Sequence, residues 1–296
     1  MKLVVKNIAI EKIKRNNPNT YGRALEYIVI MYLWKRNPIK AKEITVQPGS
    51  TDVFKGKGNF ESLDTEIKLL LKEAAYLFWQ QLPKFEDLSY YKNNACVIQT
   101  FPDRAGMQLI GHTADFSLKT NGVKPLLVSL KHNNDALKHN RISKLLTLLG
   151  LEKEQMTFNK FCSKLIKKTE SDLFAKGYKE WPEVPIEVKM RLYNGILKKF
   201  VSVVNSLQFS SRTVLNFFIY LCGGKDLPLR AIYSKGSWLF KHISTNKVPH
   251  SFSLSSNKNY LIFAFDNGFV ASMRIKNDHS GFGKPITKLD VRQVLT

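Results

Sequence analysis

The sequence predicts an α/β fold, a mixed sheet flanked by helices with a β-rich C-terminal extension, and three observations carry that expectation. Apolar residues recur at helical spacing up to about Gln81, alternate at strand spacing between Ala95 and Lys131, and return to helical spacing from Asp135 to about Asn205. Beyond residue 206 the runs turn β-like again. No repeat and no long Gly/Ser or Pro-rich linker divides the chain. Its 296 residues therefore read as one elaborated domain: a core over about 1–150, a helical layer over 151–205 and a β-rich extension over 206–296.

Each element has its own signal. Leu25, Ile28, Val29, Tyr32 and Leu33 form a helical stripe from Asn19 to Trp34, with Glu26 at its edge and Asn37-Pro38 stopping it. GSTDVFKGKGN reads as a loop, and Ser62 to Gln81 as a second amphipathic helix. CVIQTF, MQLIG, ADFSLKT and PLLVSLK read as strands, the last two around Asn121-Gly122. A helix is expected from Asp135 to about Leu151, and more helix to Asn205, interrupted at Trp181-Pro182 and Pro185. NFFIYLCG, LRAIYS, SWLFKHIS, NYLIFAF and FVASMRI read as strands, the last pair joined by Asp266-Asn267-Gly268.

Composition narrows the function. With 46 Lys and Arg against 24 Asp and Glu, the formal net charge is +22, which calls for a polyanionic partner. Basic residues are spread along the chain, and no compact basic amphipathic helix accompanies a lipidation signal, so nucleic acid is expected and a membrane is not. No apolar run approaches a membrane span. The opening MKLVVKNIAIEKIKR has scattered charges in place of the apolar run of a secretory signal, and the isolated Cys96, Cys162 and Cys222 lack zinc-site spacing. A cytoplasmic protein is expected. No phosphate-binding Gly-rich motif or nucleophile elbow is present, which removes ATP-driven and serine-hydrolase chemistry.

Hydrolysis of a phosphodiester needs a metal to polarise the phosphoryl group and hold water, and a cation to orient that water and offset developing charge. An acid on one strand and an acid-x-Lys on the next supply these groups. Here the pattern is Asp115, thirteen residues, then Ser129-Leu130-Lys131, with serine at the second acid position. Asp115, Ser117 and Lys119 share one strand face, as do Leu127, Ser129 and Lys131. Matching the apolar faces sets Phe116 across from Val128 and Asp115 across from Ser129, with Lys131 one same-face step along. A strict two-residue turn pairing Thr120 with Val123 would put Asp115 opposite Val128, on the wrong face. A bulge or an odd-length loop near the turn is therefore expected. An Asp and a Lys on adjacent strands can equally be a solvated face.

The segment SLKHNNDALKHNRISKL at 129–145 closely resembles the S-I-K-H-N-x-x-A-x-K-H-x-R-x-S stretch of HaeIII-type restriction endonucleases. YGRALEYI at 21–28, IYLCGGKDLPLRAI at 219–232 and FVASMRIKNDHSGFGKPITKLDV at 269–291 resemble the same family, in the same order. The resemblance implies a type II restriction enzyme of the PD-(D/E)XK fold that needs Mg²⁺ and cuts double-stranded DNA, with GGCC as its site. By that comparison Asp115 is the metal-binding acid and Lys131 the catalytic lysine. Ser129 occupies the variable acid position, and Glu26 is a helix acid that reaches the metal or its water. Gly111-His112 stands where a further acid would be expected, so one Mg²⁺ is expected in preference to two.

Further candidates concern DNA contact. His132 and Asn133 lead into the expected helix, on which Lys138, Arg141 and Lys144 recur every three residues as a cationic edge able to track phosphates, with His139 beside them. The letters of His132-Asn133 lack the downstream ligands of an HNH nuclease. Arg274, Lys276 and Asn277, with His279 and Lys284, suit reading of base edges, or form an ordinary basic loop. A palindromic site would be matched by a homodimer, with a cognate DNA methyltransferase as functional partner. Two other readings stay open: a non-catalytic DNA-binding protein, and a repair or RNA-processing nuclease of the same fold.

Overall fold

In the computed structural model the described residues are 18–36, 44–46, 52–82, 97–101, 114–120, 123–132, 138–222, 229–241, 247–276 and 288–294. The chain divides into two compact units, one of residues 1–135 with 223–243, the other of 136–222 with 244–296. Residues 223–243, grouped by sequence order with the β-rich extension, thus belong to the unit that holds the N-terminal core.

The first unit contains helices α1 (Pro18–Arg36), α2 (Asp52–Glu61) and α3 (Thr65–Gln81). Its six-stranded mixed sheet comprises β1 (Ile44–Val46), β2 (Val97–Thr100), β3 (Phe116–Thr120), β4 (Val123–His132), β6 (Leu229–Ser234) and β7 (Ser237–Lys241), adjacent in that order. β2, β3 and β4 form an antiparallel meander, and β6 runs parallel to β4. A parallel neighbour needs a long crossover, and here the crossover spans the interval from β4 to β6 that holds the second unit's helices. This is why LRAIYS and SWLFKHIS, expected in the extension, join the first sheet. The MQLIG stretch lies outside the described residues.

Strand alternation gives the sheet one apolar face. Ile98, Phe116, Leu118, Val128, Leu130, Leu229, Ala231 and Trp238 form one buried cluster with Tyr21, Leu25 and Val29 of α1 and Leu71, Ala75 and Phe78 of α3. The Trp238 indole N–H donates to the Ala74 carbonyl at 2.7 Å, satisfying the polar atom of a buried ring. The β6–β7 turn is Lys235-Gly236, both at positive φ (52° and 80°), the backbone that matches strand twist in a two-residue hairpin.

The segment read as a loop, GSTDVFKGKGN, supplies most of α2. Its glycines lower intrinsic helicity, but packing overrides them. A Cβ on Gly56 would lie 2.8 Å from the Arg23 carbonyl oxygen and 2.9 Å from Tyr27 Cβ, so glycine is what lets α2 approach α1.

The second unit holds α4 (Ile142–Leu148), α5 (Glu152–Ala175), a 3₁₀ turn (Trp181–Glu183), α6 (Ile186–Asn205) and α7 (Ser211–Cys222). Its antiparallel sheet runs in the order β5 (Lys138–Arg141), β11 (Lys288–Val294), β10 (Val270–Lys276), β9 (Tyr260–Phe265), β8 (Phe252–Asn257). Two expectations are corrected. NFFIYLCG lies in helix α7: its aromatic content resembles a strand, but Val214, Phe217, Phe218 and Leu221 are buried at helical spacing. Ser210 Oγ caps that helix by accepting the Thr213 N–H at 3.2 Å. The expected helix from Asp135 begins only at Ile142, because Lys138–Arg141 pairs with β11. Phe217 and Phe218 pack on Phe263 and Phe265, with ring centroids 5.1 and 5.4 Å apart.

Candidate active site

β3 and β4 set the geometry. Phe116 pairs with Val128 and Leu118 with Leu126, while Thr120 pairs with Val123, and the register shifts between Leu118 and Thr120. The close turn and the face-matched register therefore coexist, with the irregularity at Lys119 taking up the extra residue. A slip by one residue would carry Phe116, which is fully buried, to the opposite face.

Asp115 stands where β3 begins. Its N–H donates to the Val128 carbonyl at 2.8 Å and its carbonyl accepts the Phe101 N–H at 3.0 Å. The Leu130 N–H donates to Asp115 Oδ2 at 2.5 Å. Backbone bonds from both neighbouring strands thus fix the residue, and its carboxylate lies against β4 between Ser129 and Lys131. A carboxylate oxygen accepts more than one hydrogen bond, so this anchoring still allows it a second partner.

Ser129 and Lys131 point from the face opposite Val128 and Leu130. Ser129 is buried, and its Oγ has no hydrogen-bond partner among the described residues. An orphaned buried hydroxyl forfeits hydration, which is costly unless a bound group supplies the missing bond. Lys131 is partly exposed. Glu26 comes from another element: it is partly exposed at the border of the α1 stripe, whose residues Leu25 and Val29 pack on the apolar face of the sheet.

His132 faces the other way. Its ring centroid lies 6.2 Å from that of Tyr21 and 6.4 Å from that of Tyr233, and burial holds its imidazole below the ordinary range. It belongs to the helix-packed side of β4, and Asn133 lies outside the described residues.

The cationic helix edge does not form. Lys138 and Arg141 are on β5, and of the three only Lys144 is helical, on α4. His139 pairs with Asp290. Arg274 is partly exposed on β10 and Lys276 ends that strand; Asn277, His279, Lys284 and the Gly111-His112 pair lie outside the described residues.

One residue of this surface escaped the sequence reading. Arg230 pairs with Ser129 across β4 and β6 and is 1% exposed, the largest fully buried side chain in the molecule's described part. Arginine is rarely buried without anionic or polar company. The signal was a charged residue inside the apolar run LRAIYS, but its place beside Ser129 depends on a parallel pairing between distant segments.

Among the described residues, no group of three or more His, Cys, Asp or Glu gathers as a metal cage. No described helix is long and apolar enough to cross a membrane. The family model for the HaeIII restriction endonuclease matches residues 22–233, from the start of α1 to β6. No curated protein sequence matches the chain.

Proposed function

The chain belongs to the HaeIII restriction endonuclease family, and from that membership we propose that it is a Mg²⁺-dependent type II enzyme that hydrolyses double-stranded DNA at the Asp115–Ser129–Lys131 surface. The observation that carries the reading is the register of β3 on β4, with the Asp115 carboxylate bonded to the Leu130 N–H between the two other groups. The meander, the helices α1 and α3 and the parallel β6 are consistent with a PD-(D/E)XK core, in which an acid and an x-Lys pair sit on adjacent strands.

The residues present fit a hard cation. Asp115 offers carboxylate oxygen on an anchored backbone, and Ser129 offers a buried hydroxyl that lacks a partner among the described residues. Mg²⁺ is commonly held by one or two carboxylates, with waters and substrate phosphate completing the shell. Asp115 would hold it, and Glu26, carried on the helix that packs against the opposite face of the sheet, would act on a bound water. When bound, the ion supplies polarisation of the phosphoryl oxygen and a more acidic water.

The chain's own groups do the rest. Lys131 orients the attacking water and offsets charge that develops on the phosphoryl oxygens. Ser129 places a neutral donor and acceptor where an acid would otherwise add negative charge, which favours one ion over two. Arg230, buried next to Ser129 on the same face of the sheet, adds a positive charge beside the site. The +22 net charge supplies the attraction to the polyanion. A GGCC site, a twofold dimer matched to that palindrome, a cognate methyltransferase and a cytoplasmic location complete the proposal.

The test is digestion of unmodified plasmid by the wild type and Lys131→Ala, in Mg²⁺ and in EDTA, with sequencing of the fragment ends. Discrete Mg²⁺-dependent fragments with GGCC at their ends, absent in the variant, are expected. Intact plasmid that is nevertheless bound at low salt would overturn the nuclease reading in favour of a binding protein. Cleavage confined to single-stranded or structured nucleic acid would favour a repair or RNA-processing enzyme.

A further inference from the structure

Burying an arginine is costly, because its charge does not titrate away and must be carried into the interior. Arg230 is 1% exposed, so the place it occupies is informative. On β6 it is the cross-strand partner of Ser129, and Ile232, the next residue on its face, is the partner of Lys131. On the other side of β4, Asp115 is bonded to Val128 through its N–H and to Leu130 through its carboxylate, which sets it beside Ser129. One row across the sheet therefore reads Asp115, Ser129, Arg230.

Alternation keeps the row apart from the helices. Leu229, Ala231 and Tyr233, on either side of Arg230 and Ile232 along β6, join the apolar cluster with Val128 and Leu130. The six strands themselves carry no acid, and Asp115, immediately before β3, is the carboxylate that this row offers among the described residues.

The row has a charge logic. An acid at the position of Ser129 would lie one strand from Asp115, and two such carboxylates call for more than one divalent ion. A carboxylate holding its own divalent ion carries one net positive charge, and a neutral serine beside an arginine carries the same. We propose that Arg230 is a positioning residue of the cleavage site whose fixed charge, acting across Ser129, stands in for a second divalent ion. The proposal rests on the reading of Asp115, Ser129 and Lys131 as a Mg²⁺-dependent nuclease site. Two strand spacings, about 10 Å, separate the backbones of Asp115 and Arg230, and a buried charge at that range is only weakly screened. Such a charge acts with opposite sign on metal binding and on cleavage. It repels a cation at Asp115, and it offsets the negative charge that builds on the phosphoryl oxygens. A side chain that only packed against Asp115 or oriented it would help both or neither.

The test uses the full chain and two readouts: Mn²⁺ binding by titration calorimetry without DNA, and single-turnover cleavage of plasmid at saturating Mg²⁺. Arg230→Met, which keeps the length of the side chain without its charge, should bind Mn²⁺ at least about tenfold more tightly and cleave at least about 10²-fold more slowly, with no recovery at higher Mg²⁺. Arg230→Lys should stay near the wild type in both. Unchanged or weaker Mn²⁺ binding in folded Arg230→Met, or a rate that added Mg²⁺ restores, would overturn the proposal, as would Arg230→Lys behaving like Arg230→Met. If Arg230→Met does not fold, Ser129→Asp carries the test. Arg230 should neutralise the new carboxylate, so that the variant binds a single Mn²⁺ as the wild type does, whereas two bound ions would show that the arginine's charge does not reach this position. A wild type that leaves plasmid intact while Arg230→Met still tightens Mn²⁺ binding would overturn the nuclease reading and keep the charge at the ion site. An active wild type with no shift in Mn²⁺ affinity on Arg230→Met would keep the nuclease and overturn the role of Arg230.

Discussion

The two sheets use their polar faces in opposite ways. In the six-stranded sheet, Ser117, Ser129 and Arg230 on the face away from the helices are 0%, 1% and 1% exposed. In the five-stranded sheet, the corresponding face carries exposed Ser253, Ser255 and Asn257 and a partly exposed Arg274. Burial lowers the local dielectric, so charges on the first face interact strongly over short range. Solvent screens the second, so its charges act collectively and yield to salt. The first arrangement fixes polar groups at one buried place, and the second leaves them to solvent.

The sharpest way to break that division is at Asp115. Asp115→Asn should lower the single-turnover cleavage rate in Mg²⁺ by at least about 10³-fold, as losses of groups that stabilise developing charge do. Duplex affinity in EDTA should stay within a few-fold of wild type. A variant that still cleaves would separate the hairpin from the chemistry, and one that loses binding equally would merge the two roles.

The cores of the two units should respond with comparable size and different consequence. Phe116→Ala and Phe263→Ala each remove a fully buried ring and should each cost about 3–5 kcal/mol in denaturant titrations. At a temperature where both variants remain folded, Phe116→Ala should depress cleavage more than binding, since Phe116 holds the β3–β4 register. Phe263→Ala should lower stability with a smaller loss of cleavage. Equal loss of both functions in both variants would show that the sheets do not act separately.

What could be read from the sequence divides along the same line of local against distant information. The pairing of Phe116 with Val128 was legible because only that register buries both apolar faces, and the need for a bulge followed from it. The α1 stripe and the β9–β10 hairpin were legible from period and turn residues. α2 was not, because two glycines disguise a helix whose reason is contact with α1. β5 read as the start of a helix because apolar residues return to helical spacing after Asp135, and its strand conformation comes from pairing with β11 near the other end of the chain. The same distance hid Arg230, whose neighbour Ser129 is set by a parallel crossover. Charge placement in both faces is therefore a tertiary property, even where the residue types were visible.

A matched pair of serines sharpens the catalytic face itself. Among the described residues, Ser117 and Ser129 each bury a hydroxyl without a partner, so Ser117→Ala and Ser129→Ala should leave stability unchanged or raise it by up to about 1 kcal/mol, the unmet desolvation being removed. Their effect on cleavage should differ: Ser129→Ala slows it and raises the Mg²⁺ concentration required, whereas Ser117→Ala does neither. Equal kinetics in the two variants would deny Ser129 any part in the site.

The smallest expected effect lies in the open sheet, at Asp266 in the β9–β10 turn. Its carboxylate accepts the backbone N–H groups of His250 and Ser251 and the Ser251 hydroxyl, at 3.1–3.2 Å, tying the turn to the approach of β8. Desolvation acts to raise its pKa, but these hydrogen bonds together outweigh it and hold the group below the ordinary aspartate value. A lowered folded-state pKa contributes stability that is present above the unfolded value and is lost as pH falls through the folded one. The Tm of the wild type should therefore fall on acidification below about pH 4 partly through this residue, and Asp266→Asn should lower the Tm slightly at neutral pH while flattening the acid limb. Because the carboxylate is exposed, solvent screening keeps the change small. An acid limb as steep in the variant as in the wild type would show that this turn does not contribute to the pH dependence of the open sheet.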